Sequence, residues 1–523
     1  MPKNRSFLLS VFAMAAMAIS AFGQPAADRP AARKSPRADP PAVVDRQPTG
    51  VFIVIPSRLR VGEAFAVKVR VLGDVVAVPP TCFPLTAELI LGGQFNAQPA
   101  RGFVYQDNCL PRWRGTLEVR AGGELDGPRT LQFDGKNQGV FSRDTRPIKT
   151  FDGFRFTKPG FHFVRLIEPV SGIEALSNAV YVSEDEPAWR IYWGDPHFHS
   201  IFSDGLRGPE DLYAFARREG FLDFAVLADH AEALSDPEWR YMMDVTNTFY
   251  EPGAFATLLA HEWTNMSCGH RNLYFRADKA PIFRSDDKRY DTPDKLWRAL
   301  EGQEVVAIPH HTSNVQMGVK WSLGWNATFE RAVEMYSVWG SSERHAEDGN
   351  LRPIKANRGE MRGRHVIDAM NKGYRFVGFV GGGDEHKGRP GDSLGYLGKT
   401  DSHPQGFTAV LAPALSRENV YDAIKEGRTY ATTARRIYLD ATVRRSGQTH
   451  VLTLRAASED GLAQAEFVQN GSTRTVLAPS SDDGRILEIS QAVDSLKPGD
   501  YCYVRVQTQK GDMAWSSPVW IEQ

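Results

Sequence analysis

The chain is poor in several features that would have fixed its class at once. Only four cysteines occur, Cys82, Cys109, Cys268 and Cys502, so a thiolate-built metal centre is not on offer. The formal net charge is -1, which removes the electrostatic case for nucleic acid or an anionic membrane surface as the main partner. Long apolar runs are absent beyond the first two dozen residues. There, Phe7 to Phe22 is too short and too rich in small residues for a comfortable membrane anchor. The Gly381-Gly-Gly turn does not continue into Lys-Ser/Thr, which argues against a P-loop there. What remains is a soluble globular composition, 42% hydrophobic and 24% charged, whose expected partner is a small molecule.

The N-terminus carries Lys3 and Arg5, then the apolar run, then Ala21-Phe22-Gly23 before Gln24. This reads as a signal peptide over residues 1–23, with export to a periplasm or beyond, and not as a stable membrane insertion. Residues 24–47 are rich in Pro, Ala and charge without periodicity and read as a disordered leader. In an oxidising compartment Cys82 and Cys109 are in a position to close a disulfide.

A length of 523 residues exceeds one hydrophobic core. Residues 48–188 alternate apolar and polar positions between Gly, Pro and Asp clusters, as in Ala64-Phe-Ala-Val-Lys-Val-Arg-Val71, and read as a β-sandwich domain. Residues 436–523 repeat that pattern and read as a second one. Between them, residues 189–435 alternate strand-like runs with helical patterns at Pro209 to Gly220, Asp294 to Leu300, Arg364 to Met370 and Glu418 to Glu426. That alternation predicts an α/β domain with a parallel sheet closed into a barrel, its chemistry at the carboxyl ends of the strands.

Eleven of the thirteen histidines fall between His197 and His403. Five strand-like runs in this region end in histidine or carboxylate: Tyr192 to His199, Ala225 to His230, Leu258 to Glu262, Val305 to His311 and Phe379 to His386. His197 and His199 share one side of an extended strand, the geometry a chelating pair needs. Asp204 follows in a Ser-Asp-Gly turn. Glu262 closes an apolar strand, where an isolated carboxylate is costly to bury; either two cations bridged by its oxygens or an ion pair with Arg271 would compensate it. His310 and His311 are adjacent, so on a strand only one of them can face the centre. Gly381-Gly-Gly-Asp-Glu-His386 presents Asp384 and His386 with the same two-residue spacing. Imidazole with carboxylate favours zinc, manganese or iron over magnesium or calcium. Cys268 reads as a packed thiol.

Gly194-Asp-Pro-His-Phe-His-Ser with Ser203-Asp-Gly205, Ala228-Asp-His230, Glu262, Pro309-His310 and Gly383-Asp-Glu-His386 resembles the PHP (polymerase and histidinol phosphatase) superfamily of metal-dependent phosphoesterases. The fuller wording, with Gly427 to Thr433 and the closing Ala514 to Trp520, is similar to an exported branch with flanking β domains. The resemblance implies a distorted (β/α)7 TIM-like barrel with two to three divalent transition metals. It puts His197, His199, Glu262 and Asp384 on a first metal, Glu262, His270 and His310 on a second, and Asp204, His230 and His386 on a third. His199, Glu262 and Asp384 become the residues on which catalysis depends.

The implied activity is hydrolysis of a phosphomonoester or phosphodiester by a metal-bridging hydroxide. Arg207, Arg271, His311, His345 and Arg389, with Lys320 and Arg344, are candidates for binding substrate oxygens, each with a surface role as the alternative. Two other readings stay open: a metal hydrolase of a non-phosphate ester, lactone or amide, and a secreted binding protein whose metal site is structural. Fold alone does not choose among them.

Overall fold

A computed structural model of the chain describes residues 47–78, 105–120, 122–135, 146–392, 402–433, 435–493 and 496–522. The signal-like segment, the leader up to residue 46 and Cys82 lie outside the described residues, and with them the expected disulfide.

The expected α/β barrel of the TIM type is overturned. Strand accounts for 41% and helix for 14%, only five helices are present, and no closed barrel is seen among the described residues. The described strands form seven sheets. Only four of the described strand pairs run parallel. The physical reason lies in the connections, because a parallel pair needs a crossover of a dozen or more residues while an antiparallel pair needs only a turn. The strand Leu259–Trp263 is followed so soon by Arg271–Phe275 that the two can pair only antiparallel, and Val305–Pro309 then pairs antiparallel on the far side of Arg271–Phe275.

The helices that do form follow their end signals. Helix α1, Pro209–Arg218, starts on proline with Glu210 and Asp211 in its first turn and ends on Arg217 and Arg218, so charge and macrodipole agree at both ends. It buries Leu212, Tyr213, Phe215 and Ala216. Helix α2, Asp236–Phe249, opens on a capping box in which the Ser235 side chain accepts from the Glu238 amide and the Glu238 carboxylate accepts from the Ser235 amide. Helices α3 (Pro293–Leu300), α4 (Val366–Asn371) and α5 (Arg417–Glu426) complete the set; α5 stops at Gly427, whose φ of 75° suits the left-handed cap.

Near the N-terminus, sheets built on Ala64–Val78 and on Arg114–Arg120 enclose one apolar core that includes Val67, Val69, Leu117, Leu131 and Phe154. The largest sheet has ten strands. It runs from Ala256–Thr257 through Phe224–Leu227, Arg190–Phe198, Phe407–Ala412 and Thr429–Thr432 to Met513–Ser516, Tyr501–Thr508, Leu462–Gln469 and Ser472–Leu477, with Val519–Trp520 also paired to Tyr501–Thr508. Strands expected to close as a separate C-terminal sandwich therefore extend the sheet that carries His197. They pack Trp515, Tyr503 and Tyr501 against Phe379, Met335 and Val366.

Candidate metal centre

Three sheets meet at the site. The Arg190–Phe198 strand of the large sheet brings up His197 and His199, Leu259–Trp263 brings up Glu262, and the turn after Gly378–Gly381 brings up Asp384 and His386. Backbone hydrogen bonds hold these ends in register: the His199 amide donates to the Glu385 carbonyl (2.9 Å), the Ala228 amide to Phe198 (3.0 Å) and the Glu262 amide to Asp229 (2.9 Å). Asp195 ties the turn down, accepting from the amides of His197 (3.0 Å) and Gly383 (2.7 Å). A β-carbon on residue 383 would stand 2.4 Å from the Asp195 carboxylate, so only glycine fits there. Burial pushes the Asp195 carboxyl up to about 8.

Glu262 is buried, and its two oxygens face different imidazoles. Oε1 lies 2.6 Å from His270 Nδ1, 3.3 Å from His230 Nδ1 and 3.5 Å from His310 Nε2. Oε2 lies 3.4 Å from Nε2 of both His197 and His199. Asp384 does the same on the other side, with Oδ1 3.5 Å from His197 and 3.2 Å from His199, and Oδ2 3.7 Å from His310 Nδ1. Burial opposes charge on both carboxylates, yet the surrounding imidazoles hold both carboxyls well below the ordinary range. At the rim, the Asp204 carboxylate is 3.2 Å from His386 Nε2 and 3.5 Å from His230 Nε2, and it is more than half exposed.

The residues therefore gather into sets able to hold a cation: His197, His199 and Asp384; His199, Asp204, His230 and His386; and His270, His310 and His311. Two observations fit divalent metal there. The Nε2 atoms of His197 and His199 approach to 3.2 Å, a clash of lone pairs unless a proton or a cation sits between them. Nε2 of His270 and Nδ1 of His311 are buried without a hydrogen-bond partner, and the remaining nitrogens of His270 and His310 face only the Glu262 and Asp384 carboxylates, a costly arrangement for so many polar atoms at one place. Imidazole and carboxylate without thiolate suits zinc, manganese or iron.

His199 is held neutral: burial, then the charges of His386 and His230, bring it down to about 3. Burial also works against charge on His197, but Asp384, Glu262 and Glu334 hold it well above its usual value.

The sequence-predicted ligands His197, His199, Asp204, His230, Glu262, His270, His310, Asp384 and His386 all come together. His311 joins them, contrary to strand alternation, because the strand ends at Pro309 and His311 adopts a φ of 33°. The substrate-binding candidates behave differently. Arg271 is fully buried, with Nε 2.5 Å from Glu330 and its guanidinium over Trp263. Arg389 donates to Asp392 (2.6 Å) and Asn108 (3.2 Å). Arg207 lies over the Phe215 ring, 5.4 Å from its centroid. His345 faces Glu360 (3.6 Å) beside His365, Arg344 pairs with Glu343, and Lys320 is exposed. Cys268 packs in an apolar cluster with Trp263 and Leu273. His261, next to Glu262, points the opposite way into Trp239, Phe275 and Phe283.

Sequence reasoning missed Glu334, whose Oε2 is 3.2 Å from His197 Nδ1. It also missed Trp339, which donates from Nε1 to Asp384 Oδ2 at 2.5 Å. Glu334 did carry a signal, a lone carboxylate in the buried strand Ala332–Ser337.

Fold and site thus define a β-rich protein with a buried imidazole–carboxylate centre suited to divalent cations. Over residues 228–347, which include His230, Glu262, His270, His310, His311 and Glu334, the chain matches a family described as Protein of unknown function (DUF3604). It is similar to an uncharacterised protein of Chlamydia muridarum, 24% identical over 400 residues (70% of this chain and 63% of the relative). Uncharacterised proteins of Chlamydia pneumoniae (24% over 397 residues) and Chlamydia trachomatis (25% over 403) match over the same shares, so the chain spans less than two thirds of these relatives' length.

Proposed function

We propose that this protein is an exported metal-dependent hydrolase acting on a small phosphomonoester or phosphodiester. The observation that carries the reading is Glu262, a buried carboxylate whose two oxygens address two separate groups of imidazoles. The ordered ligand set, which resembles that of PHP phosphoesterases, supports it independently of the fold. Divalent ions held by His197, His199, Glu262 and Asp384, and by Glu262, His270 and His310, would supply Lewis acidity, acidifying water and neutralising charge that builds on phosphoryl oxygens.

The remaining steps belong to the chain. Glu262 and Asp384 stay ionised among their imidazoles and fix how far apart the ligand groups lie. Glu334 accepts from His197 Nδ1, which leaves Nε2 to face the centre. The Thr264 hydroxyl, 2.7 Å from His230 Nδ1 and 3.1 Å from Glu262 Oε1, orients both side chains. Trp339 holds Asp384 with Oδ1 turned inward. Asp204, His230 and His386 form the solvent-facing edge, where substrate enters.

The test is metal analysis of purified protein followed by assays on chromogenic phosphomonoesters, phosphodiesters and carboxylic esters, with and without chelator. The expected result is two to three divalent ions per chain and a phosphoesterase activity lost by several orders of magnitude in His199→Ala and Glu262→Ala. Metal-free protein, or activity on carboxylic esters alone, would overturn it.

A further inference from the structure

We propose that His311 is itself a metal ligand, and that His270, His310, His311 and Glu262 make one position whose coordination the protein alone completes. The inference rests on the reading of this cluster as a metal centre and goes beyond it by separating the ions by role. All four of these side chains are buried, so an ion among them would have no face open to solvent, whereas the set His199, Asp204, His230 and His386 reaches the surface and leaves room for water or substrate. The ion at the tri-histidine position would then be the most tightly held one, and exchange would be fastest at the rim.

Three observations carry this. First, the His311 ring is turned onto the same side as His310 by a left-handed backbone, φ 33°, and the two ring centroids stand 4.0 Å apart; the His270 ring is 4.8 Å from His311 and 5.7 Å from His310. A non-glycine residue pays conformational strain for such a φ, and the ring's placement gives that strain a purpose. Second, His311 is only 3% exposed, with Nδ1 buried and unpartnered, and no carboxylate pairs with it at ion-pair distance among the described residues. An imidazole in that state is accounted for by a cation shared with His310 and with His270, whose Nε2 is also buried and unpartnered. Third, Glu262 Oε1 approaches His270 and His310 from outside the trio, at 2.6 and 3.5 Å, and supplies the fourth donor. By contrast, the set His199, Asp204, His230 and His386 lies at the rim, with side chains 56%, 23% and 18% exposed at Asp204, His230 and His386.

The experiment uses the full chain, stripped and reloaded with zinc, and follows metal release into excess chelator together with the number and affinity of bound ions. Wild type should release its ions in at least two phases, the slowest belonging to the tri-histidine position. His311→Asn is the informative variant, because asparagine tolerates a left-handed φ; His311→Ala is its companion. Either one, with circular dichroism matching wild type, should lose the slow phase and bind one ion more than about 100-fold more weakly. A residue acting only through a ligand typically costs about 10–100-fold. Variants that fold and keep the slow phase and the affinity overturn the inference while leaving the metal-centre reading intact. A wild type that binds no divalent ion removes both. Should neither variant fold, X-ray absorption decides on the His386→Ala chain loaded with one equivalent of zinc, its rim set already broken: three imidazoles on the ion support the proposal and two overturn it.

Discussion

The carboxylate of Glu334 lies 3.2 Å from Nδ1 of His197, while Nε2 of the same ring faces His199, Glu262 and Asp384. One ring proton therefore belongs on Nδ1, and Nε2 points to the place where these side chains converge.

Glu334→Ala should weaken binding of one divalent ion by about 10–100-fold without abolishing it, since the first ligands remain. Glu334→Gln, which still accepts from Nδ1, should weaken it less. Competition against a coloured chelator reads both, and equal affinity in wild type and Glu334→Ala would show that the pair does not orient His197.

Removing metal should destabilise the chain as well as inactivate it. At about a hundredfold excess of free ion over its dissociation constant, binding contributes about 2.7 kcal/mol. Calorimetry should show a lower Tm in chelator and recovery on adding zinc or manganese.

Arg271→Ala should act on stability and not on substrate affinity. Its guanidinium and the Glu330 carboxylate are both fully buried, and removing one partner strands the other at a cost of about 3–5 kcal/mol. Denaturant titration measures that loss, and KM of any residual folded enzyme should stay near wild type. A raised KM with unchanged stability would return Arg271 to the substrate.

Glu459 gives stability a pH slope away from the metal centre. Burial pushes its carboxyl up to about 7, against the pull of Arg435 and Arg436 and with Asp460 adding to the rise, and its Oε2 is buried and unpartnered. A raised value means that the protonated form is favoured by folding. The contribution is complete below the unfolded value near 4.5, fades as pH rises towards 7 and is gone above it. Glu459→Gln should therefore gain stability over wild type between pH 5 and pH 8, measured from denaturant midpoints at both.

Most of the residues that converge were legible because they end a hydrophobic run, where a polar group has little other reason to be; Asp204, in a turn, and His270, just ahead of Arg271–Phe275, carry no such mark. The same rule applied to Glu334 would have found it, since Ala332–Ser337 is buried throughout. His311 could not be read, because its ring direction depends on a backbone φ that strand periodicity does not encode. Four of the five helices lie where their caps and periodicity predict, and α2 was missed although Ser235 and Glu238 spell its capping box. The architecture failed for a different reason: an apolar run does not state the direction of its neighbour. The short link from Trp263 to Arg271 did state it, and excluded a crossover helix at that point.

The large sheet also sets an order of events. The strand bearing His197 pairs with Phe407–Ala412, which pairs with Thr429–Thr432, which pairs with Met513–Ser516. A chain emerging N-terminus first presents its histidines long before the strands that complete their sheet. Contacts so distant in sequence form slowly. The centre is therefore assembled late, as a product of cooperative closure, and cutting the chain between Thr432 and Met513 should leave an N-terminal fragment that holds every candidate ligand without the framework that aligns them.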